Sequence, residues 1–118
     1  MNLLSKIDIT TEAVEMEVLD LHGKPLTDEE AQKPKLYIYG ADSDVFSKAR
    51  DKWVEDGMTE DLTLLVPCVE KWVNIKDDNG IDMPFTKENT HKLLKRYPVI
   101  KTQINIFIKD RENYLKKS

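Results

Sequence analysis

The sequence predicts an α+β fold, with one small domain in which an N-terminal β element of two or three strands precedes about four helices. Two short segments carry strand patterns, at residues 14–18 and 36–39. Beyond them, apolar residues recur at spacings of three and four, which is the period of a helix that buries one face. A chain of 118 residues is expected to form a single domain.

Residues 14–18 predict the first strand, because apolar residues alternate with glutamates at the period of two that leaves one face wet. Residues 1–12 are polar and predict a flexible arm or an edge strand. Gly23 and Pro25 mark a turn at residues 22–25, since Gly accepts positive φ and Pro fixes its own. Residues 36–39 join β-branched and aromatic side chains and predict the second strand. The β element therefore covers residues 13–40.

Residues 43–116 are expected to be the helical part. Asp42 or Ser43 can cap the first helix by accepting a backbone N–H. Thr59 is expected to cap a second helix, whose apolar stripe covers residues 62–73. Pro67 lies within that stripe and removes one helical hydrogen bond, so we expect a kink or a short first turn.

Two further helices are predicted near the C-terminal end of the sequence. Thr86 is a good N-cap for the third helix, and Tyr97 followed by Pro98 marks the boundary with the fourth. The last helix is expected to run to about Lys116. The stripe along its inner face consists of Ile100, Ile104, Phe107, Ile108, Arg111 and Leu115.

The formal net charge is −4, but acids and bases are unevenly distributed. Residues 1–60 carry 14 acids and 7 bases, whereas residues 61–118 carry 8 acids and 11 bases. We interpret the two halves as complementing each other, within the fold or between copies. A pI near 5.2 argues against a nucleic-acid binder. No apolar run reaches the ~20 residues of a membrane span, and residues 1–6 lack the apolar segment of a secretory signal, so we expect a cytoplasmic protein.

The residues that could carry chemistry do not form a recognisable motif. Cys68 is the single cysteine and lies in an apolar pattern, which favours a core thiol. His22 and His91 have no partner at a metal-ligand spacing. A calcium loop beginning at Asp77 would place Ile81 where an oxygen ligand is required, so this segment predicts a turn. We therefore expect no metal, no cofactor and no enzymatic activity.

One stretch combines features in a distinctive order. The order begins with Trp72, Asp78-Asn79-Gly80 and Met83-Pro84-Phe85-Thr86-Lys87-Glu88-Asn89. It continues with Leu93-Leu94, Tyr97-Pro98, Ile100, Ile104 and Phe107, and it ends with Arg111-Glu112-Asn113-Tyr114-Leu115. This order resembles the C-terminal pattern of the tail assembly chaperones of long-tailed (siphovirus-type) bacteriophages. The strand and Gly-x-Asp-Ser turn at residues 36–43 resemble their N-terminal half. The resemblance covers about residues 36–56 and 70–115.

The resemblance implies a non-catalytic protein that binds the tape measure protein, keeps it soluble and helps to recruit tail tube subunits. It also implies self-association, a location in the host cell cytoplasm and absence from the mature virion. Tape measure proteins carry long apolar helical stripes, and a small domain with an apolar groove can hold such an amphipathic helix. Copies that associate around one tape would gain avidity.

The candidate partner-binding residues are large apolar side chains on the later elements, with two cations at a polar rim: Trp72, Phe85, Ile104, Phe107, Lys101 and Arg111. Trp53 is expected in the core. Two roles remain open for Trp72, which either packs against the loop that follows it or forms part of a partner surface.

Two other functions remain open from the residues. The first is a small acidic inhibitor or immunity-type protein that binds a basic partner, because residues 12–30 carry seven acids against one lysine. The second is a small enzyme that uses Cys68, which requires an accessible thiol.

Overall fold

A computed structural model describes residues 3–28 and 30–116. It confirms the α+β fold, with a three-stranded antiparallel sheet and four α-helices among these residues. In chain order the elements are β1 (Val14–Glu17), β2 (Lys35–Ile38), α1 (Asp44–Glu55), α2 (Leu62–Leu65), β3 (Val69–Val73), α3 (Lys87–Arg96) and α4 (Pro98–Lys109). Short 3-10 helices cover Leu3–Ile7, Val66–Cys68 and Arg111–Tyr114.

The sheet has the order β1-β2-β3, so β2 is its central strand. Val14 pairs with Ile38 and Glu17 with Lys35, while Leu36 pairs with Trp72 on the other side. A register shift between Tyr37 and Ile38 marks a bulge against β3. The alternation predicted for β1 is confirmed, because Met16 is buried and Glu15 is exposed.

The third strand lies inside the segment that the sequence predicts as a helix, so the prediction of a single helix over residues 62–73 is wrong. Only Leu62–Leu65 is α-helical, and a 3-10 turn containing Pro67 leads into β3. Proline ends the regular helix, and the following Val69, Trp72 and Val73 are residue types that suit a strand. Their pairing with β2 supplies a second neighbour for the central strand.

Two of the predicted helix caps are present. Ser43 accepts from the N–H of Phe46 at 3.1 Å, and Thr86 accepts from the N–H of Asn89 at 2.9 Å. The cap predicted at Thr59 is wrong, because its hydroxyl donates to the carbonyl of Asp56 instead. The boundary at Tyr97 and Pro98 is confirmed.

The last helix ends earlier than predicted. α4 stops at Lys109, and the carboxylate of Asp110 accepts from the N–H of Glu112 to start a separate 3-10 turn. This turn carries Tyr114 into the core, where it is 1% exposed. The chain then pairs with the N-terminal segment through an isolated antiparallel bridge between Ile9 and Leu115. The described part of residues 1–12 is thus a 3-10 turn followed by one bridge.

The core lies between the inner face of the sheet and the helices. Its fully buried side chains include Leu36 and Ile38 from β2, Leu94 from α3, and Ile104 and Ile108 from α4. Trp72 joins this core. Trp53 does not, and is only partly buried, so its predicted place in the core is wrong. No helix in residues 3–28 and 30–116 is long and apolar enough to cross a membrane.

Candidate partner-binding surface

The structure distributes the six predicted partner-binding residues over different places. Trp72 and Phe85 touch each other edge to face, with ring centroids 5.0 Å apart. The indole N–H of Trp72 donates to the carbonyl of Met83 at 2.9 Å. Trp72 therefore packs against the loop that follows it, while Phe85 stays 38% exposed at the edge of that loop.

The other four predicted residues contact the chain itself. Ile104 is fully buried, and Phe107 packs edge to face on Tyr114 with centroids 5.5 Å apart. Lys101 forms an ion pair with Asp61 at 3.1 Å. Arg111 donates twice to the carboxylate of Asp42, at 2.8 and 3.0 Å. These residues do not form one surface.

An apolar concave surface lies at the end of the sheet where β1 and β3 finish and β2 begins. We call it the sheet-end groove; its volume is about 570 Å³. One wall is the loop after β1 and the other is the corner between α3 and α4. The apolar side chains that line it and stay more than two-fifths exposed are Leu21, Leu26, Tyr97 and Val99.

The loop that forms one wall is held by backbone turns. The carboxylate of Asp20 accepts from the N–H groups of His22 and Lys24 at 2.8 and 3.0 Å, and Gly23 has φ of +80°. An L side chain is strained at that φ, so Gly suits this turn. The turn predicted here is confirmed. It holds Leu21 outward, with 83% of the side chain exposed.

A smaller apolar cleft of about 370 Å³ adjoins the sheet-end groove, and Leu19 lines both. Between α4 and β1, the side-chain amide of Gln103 accepts from the N–H of Leu19 at 2.9 Å and donates to its C=O at 2.8 Å. The amide thus takes the place of a neighbouring strand at this residue. Beside it, Ile106 is 63% exposed.

Within the part of the chain that the structure describes, three of the seven acids in residues 12–30 form ion pairs with the chain's own lysines. Glu15 lies 3.3 Å from Lys35, Glu17 lies 4.0 Å from Lys33, and Asp28 lies 3.8 Å from Lys76. These exposed pairs contribute little to stability. They do lower the free negative charge that a basic partner would meet.

Cys68 is buried, as predicted, and its Sγ lies 3.4 Å from the carbonyl of Leu64. Burial raises the pKa of the Cys68 thiol to about 12. A thiol in this state stays protonated at neutral pH, so it does not supply the thiolate that nucleophilic catalysis requires.

The other polar candidates have structural partners. Asp77 accepts from the N–H groups of Asn79 and Ile81, which confirms the predicted turn. His91 faces Glu60 at 3.6 Å. Within the residues that the structure describes, no three His, Cys, Asp or Glu side chains are grouped to hold a metal ion.

Sequence reasoning missed the sheet-end groove because its walls come from three distant segments. Leu21 and Leu26 did carry a signal of exposure in the sequence. They flank the predicted turn and lie outside the alternating pattern of a strand that could bury them. Tyr97 and Val99 flank Pro98 at the helix boundary. Apolar residues at turns and corners are exposed more often than those within a periodic stripe.

No family model, curated protein or solved structure matches the chain significantly.

Proposed function

We propose that this protein is a phage tail assembly chaperone that holds an amphipathic helix of the tape measure protein in the sheet-end groove. The observation that carries the proposal is the exposure of four large apolar side chains around one groove of about 570 Å³. Exposed apolar side chains gathered on one concave face are typical of an interaction site. The order of motifs along residues 70–115 supports the same class of protein.

The groove suits a helix better than an extended strand. Its walls present side chains, whereas a strand partner needs a row of unpaired backbone groups. At the end of β1, the backbone groups of Leu19 are already engaged by Gln103. An amphipathic helix offers apolar residues at spacings of three and four, which can pack between Leu21 on one wall and Val99 on the other.

The proposed role needs no catalytic group. Covering the apolar stripe of a long helical protein prevents that stripe from aggregating. The protein would act in the host cytoplasm. The alternative, an acidic inhibitor of a basic partner, has less support because Glu15, Glu17 and Asp28 are paired within the chain.

Co-expression with the tape measure protein encoded in the same gene cluster tests the proposal. We expect the tape measure protein to become soluble and to co-elute with the chain in size-exclusion chromatography. The double variant Leu21→Glu/Val99→Glu should abolish the complex, because each apolar side chain contributes roughly 1.5–3 kcal/mol when fully buried. Both side chains are exposed, so the variant should still fold.

Ile81→Glu is the matched control, since Ile81 is also exposed but lies in the turn after β3, away from the groove. It should retain the complex. If the tape measure protein stays insoluble with the unmodified chain, the proposed function is wrong. If a complex forms but survives the double variant, the groove is not its site.

A further inference from the structure

A second concave surface lies on the opposite side of α4 from the sheet-end groove. It is a cleft of about 440 Å³ between α1 and α4 with α2 at its base. Phe46, Trp53 and Leu64 contribute apolar surface, and Arg50, Lys101 and Lys109 contribute cationic groups. We call it the cationic cleft.

The charge of this cleft is opposite to that of the chain, whose net charge is −4. Lys101 is paired with Asp61, but Arg50 and Lys109 form no ion pair with any residue of 3–28 or 30–116. Arg50 belongs to α1 and Lys109 to α4, so the two unpaired cations stand on facing walls. Such a cleft attracts a ligand with two separated anionic groups.

Trp53 provides a second, independent observation. Its indole N–H is buried and has no acceptor among the residues that the structure describes. Buried N–H groups nearly always have a partner, and an exception calls for an explanation. Trp72 shows the ordinary case, because its indole N–H donates to Met83. Tryptophan is also one of the residue types enriched at the energetic centres of interfaces.

We propose that the cationic cleft binds a short acidic segment of a partner protein, with an apolar side chain between flanking carboxylates. The apolar side chain covers Phe46 and the ring of Trp53, a backbone carbonyl beside it accepts from the Trp53 indole N–H, and the carboxylates meet Arg50 and Lys109. A peptide segment can carry acidic residues on both sides of an apolar residue, so it can meet both cations. A fatty acid has a single carboxylate and would leave either Arg50 or Lys109 without an anionic partner. This site is separate from the sheet-end groove and does not depend on the function proposed for it.

The two indole resonances allow a direct test by ¹⁵N–¹H NMR on the whole chain. The probe is the capped hexapeptide Ac-Glu-Glu-Leu-Phe-Glu-Glu-NH₂. We expect a saturable shift of the Trp53 indole signal with no shift of Trp72, and an affinity that falls severalfold as salt rises from about 50 to about 500 mM. Peptides with Lys for Glu, or with Ser for Leu and Phe, should bind at least about tenfold more weakly.

Charge reversal identifies the site. Arg50→Glu/Lys109→Glu should weaken binding roughly tenfold or more, since each reversal replaces an attraction with a repulsion. Lys95→Glu, an exposed lysine on α3, is the matched control and should bind as the unmodified chain does. Lack of any saturable shift below about 1 mM peptide overturns the proposal, as does equal binding of the lysine peptide. A self-association that the double variant abolishes, with no peptide binding, would make a second copy the occupant and would also overturn it.

Discussion

Gly40 packs against the ring of Tyr114, which belongs to the 3-10 turn after α4. A substitution at Gly40 should show how closely these two residues are packed. A Cβ added at Gly40 would lie 2.9 Å from two carbons of the Tyr114 ring, closer than side chains pack in proteins. Gly40 does not have positive φ, so Gly40→Ala adds volume without backbone strain. The ring is also held by a hydrogen bond from its hydroxyl to the carbonyl of Ile38, at 3.1 Å.

The expected loss follows from overpacking. Inserting one carbon into a well-packed core costs about 1–3 kcal/mol, so Gly40→Ala should lower the melting temperature by roughly 4–12 °C. Tyr114→Leu removes most of a buried ring and should cost about 2–4 kcal/mol alone. In the Tyr114→Leu background, the methyl group that Gly40→Ala adds has room. Gly40→Ala should then be nearly neutral, and the two substitutions should couple by at least about 1 kcal/mol.

Urea denaturation followed by far-UV circular dichroism on the four proteins of this double-mutant cycle measures the coupling. The m-value should stay constant, because the folded state exposes no new surface. Additive losses from Gly40→Ala and Tyr114→Leu would refute the reasoning, since the cost at Gly40 would then arise from something other than the Tyr114 ring.

Three further results follow from side-chain contacts. Gln103→Ala leaves the N–H and C=O of Leu19 without their side-chain partners and should lower the free energy of unfolding by about 1–2 kcal/mol in urea titration, whereas an unchanged midpoint would contradict this role. Cys68 should react with a thiol reagent at pH 8 only as fast as the protein unfolds, because burial raises its pKa to about 12; fast labelling of the folded state would argue against this. The hydrogen bond from Arg111 lowers the pKa of Asp42 below its ordinary value, so the pair stabilises the fold above that ordinary pKa and loses this effect as pH falls through the lowered one. Asp42→Asn should therefore lower the urea midpoint at neutral pH and match the unmodified chain in strong acid, and a difference that persists in acid would exclude this explanation.

Two of the three predicted helix caps, and the turn at Gly23, were correctly predicted from local signals in the sequence. Ser43 and Thr86 act as N-caps because a side-chain oxygen and a nearby backbone N–H meet within one turn, with no help from the rest of the fold. The turn at Gly23 depends on one residue's backbone freedom. Such features are determined by neighbours in the chain.

The misassigned segment shows where local signals fail. Leu65, Val69 and Trp72 recur at spacings of four and three, which fits a helix, yet Val69 and Trp72 belong to β3. A strand of five residues with one bulged pairing gives too short a pattern for periodicity to recognise. Residues 69–73 form a strand because they pair with β2, which lies more than thirty residues earlier in the chain. Such a distant partner is not visible in a local pattern.

Apolar character alone is a poor guide to candidate partner-binding residues, because the core and an interface use the same side chains. Ile104 and Ile106 are two residues apart on α4 and chemically identical. Ile104 is fully buried, while Ile106 is 63% exposed. Their positions in the helical stripe separate them, since the predicted stripe contains Ile104 and leaves out Ile106.

α4 connects both proposals because its three faces have three different neighbours. At about 3.6 residues per turn, Ile104 and Ile108 point into the core, Val99 and Ile106 line the apolar side, and Lys101 and Lys109 line the cationic side. One helix therefore forms a wall of both the sheet-end groove and the cationic cleft. Its inner face is fixed by the core, and the segment after it is fixed by Tyr114. A wall held in this way cannot move toward one occupant without disturbing close packing, so the two sites should bind their partners independently unless the partners themselves touch.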